Sequence, residues 1–105
     1  MKPAFDVVYR DLDASAALNE VILKKLEKLG RFSDQIIHSR VVLDTPHQHK
    51  SKGKQFRASI ELEMKGSPVT VTRNDESIHI AIRDAFLNAE RKIKEFMSKK
   101  RTHRH

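Results

Sequence analysis

At 105 residues, 38% of them apolar, the chain has the size of one domain with a single lean core. Lys and Arg number 21 against 14 Asp and Glu, a formal charge of +7 that favours an anionic partner: RNA, DNA or acidic lipid. The lack of cysteine excludes disulfides and thiolate zinc sites. No apolar run approaches the roughly 20 residues that span a bilayer. The N-terminus shows no signal-peptide apolar region, so the chain reads as cytoplasmic.

Phe5, Val7 and Tyr9 alternate with Asp6, Val8 and Arg10, which predicts a short strand with Phe5 and Tyr9 facing the core. Asp13 or Ser15 then caps a helix over about Ala14–Arg31 by accepting from free backbone N–H groups. Its apolar face is Leu18, Ile22, Leu26 and Leu29, widened by Ala14 and Val21, and Gly30 is placed to help end it above Phe32. A second strand runs over Ile36–Asp44, with Ile37, Ser39, Val41 and Leu43 expected on one face and His38, Arg40 and Val42 on the other. Pro46 stops it, and residues 47–54 form a basic, His-rich loop without acids.

The third strand is the clearest, with Phe56, Ala58, Ile60, Leu62 and Met64 inward and Arg57, Ser59, Glu61 and Glu63 outward. A turn at residues 65–68 leads to a fourth strand through Val69 and Val71. Residues 74–77 then cap a long helix over about Ser77–Arg101. That helix carries Ile78, Ile82, Ala85, Phe86, Ala89, Ile93 and Phe96 on one face. Arg83, Arg91, Lys94 and Arg101 cluster opposite, within roughly 80° at 100° per residue. The expected fold is α+β, in the order β-α-β-β-β-α. Both helices cover one face of a four-stranded sheet and the first two strands are parallel. Residues 1–97 form the domain and 98–105 a flexible basic tail.

Two helices that pack on a sheet while showing a basic stripe to solvent suit a phosphate backbone. The blander reading is ordinary solvated helix faces. The candidate RNA contacts are Lys24, Lys25, Lys28 and Arg31 on the first helix and Arg83, Arg91, Lys92 and Lys94 on the second. Lys50, Lys52, Lys54 and Arg57 make the loop a candidate basic finger.

The opening FDVVYRDLDAS-AL, the segment RVVLDTPHQH and the helix AIRDAFLNAERK, within a match over nearly all of residues 5–97, resemble the ribosome hibernation-promoting factor and ribosome-associated inhibitor A family. That family is also labelled S30EA or sigma-54 modulation protein. The resemblance implies a domain like a double-stranded-RNA-binding domain with an extra leading strand. It also implies the 30S subunit and 70S ribosome as partners, bound through 16S rRNA where mRNA and tRNAs sit, so that translation is blocked sterically under stress. The family's basic row maps onto Lys25, Lys28, Arg31 and Arg91. The chain departs from the pattern at Asn88, Arg83 and His79, which bears on the contacts and not the fold. A short form is expected, without the second domain that pairs ribosomes.

Other chemistry is poorly supported. His47, His49, His103 and His105 lack the cysteine or clustered acids of a metal site. Asp44 with His47, or Asp75 with His79, lacks any nucleophile or phosphate loop beside it. No enzyme, cofactor, metal, membrane or small-molecule substrate is expected. The rival readings are a protein-binding regulator, as the sigma-54 label implies, and a generic double-stranded-RNA module.

Overall fold

The computed structural model describes residues 4–46 and 54–102. Lys50 and Lys52, with the His47–His49 pair, lie outside them. The elements are β1 (Ala4–Arg10), α1 (Ala16–Phe32), β2 (Ile36–Asp44), β3 (Phe56–Met64), β4 (Val69–Asp75) and α2 (Ile78–Thr102). The sheet order is β1-β2-β3-β4, with β1 and β2 parallel and the other neighbours antiparallel.

Both helices start on a serine. Ser15 is the N-cap of α1 and accepts from the Leu18 amide at 3.2 Å, so Ser15 and not Asp13 does the capping; Ala14 falls outside the helix. At α2 the Ser77 hydroxyl accepts from the Ile80 amide at 3.3 Å, while Asp75 accepts from the Ser77 amide at 2.8 Å and shapes the turn. Gly30 does not end α1. The helix runs through it to Phe32, and Ser33 leaves in an extended conformation. Ser33 is buried, accepts from the Gln35 amide and donates to the Met97 sulfur at 3.4 Å, tying the end of α1 to α2.

One face of the sheet is dry. Val41, Leu43, Ala58, Ile60, Leu62, Val69 and Val71 meet Leu18, Ile22 and Leu29 of α1 and Ala81, Ile82, Ala85, Phe86, Ala89 and Ile93 of α2 in one core. Two expectations fail here. A register irregularity between Ile36 and His38 places Ile36, not Ile37, in the core, and leaves Ile37 46% exposed. Phe5 has the inward phase but is 45% exposed, because β1 is an edge strand and Phe5 sits at its start. Tyr9 behaves as expected, packing on the core while its hydroxyl reaches Asn19 Oδ1 at 2.8 Å and the Ser15 carbonyl at 3.1 Å.

The opposite face carries paired charges. Asp6, Arg40 and Glu61 are neighbours in register, and Asp6 also meets His38 Nε2 at 3.2 Å. Val42, expected to be wet, is buried on this face beside Val8, between the row of Arg40 and the row of Asp44 and Arg57. At the hairpin, Gly66 has φ +109°, a conformation that side chains resist, and its Cα side lies against Phe96. Because β1, β2 and β4 share one direction, α1 and α2 both return the opposite way and run side by side. α2 continues through Thr102, into the segment expected as a tail.

Candidate nucleic-acid interface

The parallel course of the helices creates a groove between them. Lys25, Lys28 and Leu29 of α1 line it with Arg83, Phe86, Leu87 and Glu90 of α2. A second depression, lined by Arg73 of β4 with Asp84, Leu87, Asn88 and Arg91 of α2, shares Leu87 with the first. The joined surface therefore holds five cations, Lys25, Lys28, Arg73, Arg83 and Arg91, against two carboxylates, Asp84 and Glu90. It is contiguous across both helices, which is what a polyanion requires of its partner.

The cations are mostly free at their tips. The Lys28 side chain is 62% exposed and lies 3.9 Å from Glu90. Arg83 leans on its neighbour Asp84 at 3.1 Å yet stays 58% exposed. Arg91 donates to Asn88 Oδ1 at 2.7 Å, an amide that orients the guanidinium without neutralising it. Exposed pairs of this kind hold their partners weakly, so the charges remain available to phosphate.

The remaining candidates fall at different distances from this surface. Lys94 lies next to it, shared between Glu90 at 3.3 Å and the ring of Phe32 at 4.8 Å. Lys24 and Arg31 are exposed on α1, and helical spacing puts both on the stripe of Lys28. Lys92 turns to the sheet edge, where its ammonium reaches the Thr70 carbonyl at 3.4 Å. Lys54 stands apart at the start of β3, 5.5 Å above the Phe56 ring.

Arg57 is not brought to the groove. It projects from the opposite face of the sheet and holds Asp44 with two bonds, Nε to Oδ1 at 2.9 Å and Nη2 to Oδ2 at 2.6 Å. The hydrogen bond to Asp44 raises the Arg57 pKa above the ordinary guanidinium value; burial opposes it, and the Asp44 charge adds a smaller rise. This fork occupies the guanidinium in the fold and engages both Asp44 carboxylate oxygens; His47 lies outside the described residues. Asp75 is likewise engaged as a turn former. Among the described residues no group of three or more His, Cys, Asp or Glu is gathered for a metal, and no helix is long and apolar enough to cross a membrane.

Four groove residues, Arg73, Asp84, Leu87 and Glu90, are not among the sequence candidates, and the first and third bear on binding. Arg73 has the inward phase of β4 but reaches α2 from the sheet edge, a placement that its strand alternation does not reveal. Leu87 is 55% exposed in the middle of the cations. Its signal was available: it lies four residues from both Arg83 and Arg91, on the basic stripe and off the apolar face.

Comparison with known proteins agrees with this architecture. The N-terminal domain of Thermus thermophilus Protein Y superposes with a TM-score of 0.75 at 29% identity, over 90% of this chain and 98% of that one. A ribosomal subunit interface protein from Coxiella burnetii gives 0.73 at 15% identity over the same shares, a likeness of fold. A ribosome hibernation promotion factor of Deinococcus radiodurans is 24% identical over 90 residues, which are 86% of this chain and 47% of that protein. The chain thus spans about half the length of that relative. Residues 5–101 match the model of the family described as Sigma 54 modulation protein / S30EA ribosomal protein, and with that coverage of the α+β fold the chain belongs to this family, whose members are not enzymes.

Proposed function

We propose that the chain binds the small ribosomal subunit through the α1–α2 surface and inhibits translation by occupying space. In this reading the five groove cations neutralise phosphates of 16S rRNA in the channel used by mRNA and tRNA, and the folded body keeps those ligands out. The observation that carries it is the predominantly cationic surface, five cations against two carboxylates, formed jointly by α1, α2 and Arg73, opposite a sheet face on which charges are internally paired. Membership of a family with a hibernation promotion factor among its relatives supports the same reading. Steric occlusion needs neither turnover nor a cofactor.

Co-sedimentation with purified small subunits across a salt series tests it. Release of about five counterions predicts a log–log slope of roughly −3 to −5. Failure to pellet with subunits at low salt refutes the proposal. Equal competition by naked duplex RNA reduces it to generic duplex binding, and a nearly flat salt dependence points to a protein partner.

A further inference from the structure

A leucine more than half exposed is unusual at the centre of a cationic groove. Leu87 is 55% exposed, forms part of both depressions, and is flanked one helical turn away on each side by Arg83 and Arg91. At a 1.5 Å rise per residue, the two arginines stand about 12 Å apart along the helix axis, with Leu87 midway. Its neighbours in the groove include Leu29 and Phe86, both buried, so Leu87 continues the core outward as an apolar ridge between charges.

Duplex RNA offers such a ridge little. Its base faces are stacked inside, and its outer surface is phosphate and ribose hydroxyl. An unpaired nucleotide presents a flat apolar face, with its own phosphates on either side to meet the arginines. We infer that Leu87 is a base-contacting residue, and that the α1–α2 surface takes an unpaired stretch of RNA with one nucleobase laid on Leu87 and the flanking phosphates on Arg83 and Arg91. The inference rests on the proposed RNA-binding function and adds the class of RNA.

The test compares the wild-type chain, Leu87→Gln and Arg91→Gln. Binding to a fluorescent single-stranded 12-nucleotide RNA of mixed sequence, to the same strand as a duplex, and to small ribosomal subunits is measured at several salt concentrations. Leu87→Gln is expected to weaken single-strand and subunit binding five- to tenfold, leave duplex binding within twofold, and keep the salt slope, since no charge is removed. Arg91→Gln is expected to weaken all three and reduce the slope by about one. Equal losses of Leu87→Gln on single strand and duplex, or no loss on either, overturn the inference. A loss seen only with intact subunits also overturns it, and assigns Leu87 to a ribosomal protein. If the wild-type chain binds none of the three, the proposed function itself fails. Circular dichroism checks that both variants, changed at exposed helix positions, stay folded.

Discussion

Arg57 separates the part of the basic character that builds the fold from the part available to a ligand. The Asp44 side chain retains 13% exposure and Arg57 39%, and the two are joined by a two-point fork. A hydrogen bond to a charged group contributes about 1.5–3 kcal/mol when sheltered, and an exposed ion pair about 0–1. This pair lies between, so Arg57→Ala is expected to cost about 1–2 kcal/mol, most of it from leaving a nearly buried carboxylate without its partner. For a domain of this size that corresponds to a melting temperature lower by roughly 5–10 °C. Arg57→Lys should recover only part, because an ammonium cannot reproduce the planar fork. Thermal melts at neutral pH, paired with subunit co-sedimentation below the lowered melting point, read both consequences. Binding is expected to survive. An Arg57→Ala variant that melts with the wild type but no longer pellets with subunits would show that the fork is incidental and that the open sheet face meets RNA.

Changing Lys28, Arg31 and Arg91 together to Glu should abolish subunit binding while the melting temperature moves by only a few degrees, since these side chains are exposed; unfolding of the triple variant refutes their assignment to binding. Ile60 is fully buried on the third strand, so Ile60→Ala should cost about 2–5 kcal/mol in urea denaturation. Stability within 1 kcal/mol of wild type would contradict the core described here. Gly30 occupies a helical position with open space where a Cβ would stand, so Gly30→Ala should stabilise by about 0.5–1 kcal/mol; a lower denaturation midpoint would show that the glycine is needed for something other than room.

The strands and helices were legible wherever a local period ran unbroken. β3 alternates without interruption from Phe56 to Met64, and its inward residues from Ala58 onward are buried; Phe56, at the strand's open start, is half-buried. β2 has the bounds that its sequence suggests, yet its first residues face the wrong way in that reading. A bulge inserts a residue, and a period of two has no means of registering it. Gly30 misleads for a related reason: glycine is common just past a helix end, but here the hydroxyl and amide partners that stop the chain belong to Ser33 and Gln35. For the candidate site, helical spacing put Arg83 and Arg91 on one stripe, and the family resemblance pointed to Lys28. Arg57 was equally basic in the sequence; strand alternation put it on the outward face, and its cross-strand neighbour Asp44 shows that the fold engages it.

Charge, hydropathy period and cap residues act within a few neighbours along the chain. They were enough to decide the order β-α-β-β-β-α, which face of each helix is greasy, and that the surface is strongly basic. They say nothing about the rotation of one helix relative to another, because that is chosen by how side chains distant in sequence interlock over the sheet. Only that packing set α1 beside α2, brought Arg73 across to Arg91, put Leu87 of α2 into one groove with Lys25 and Lys28 of α1, and set Asp44 against Arg57.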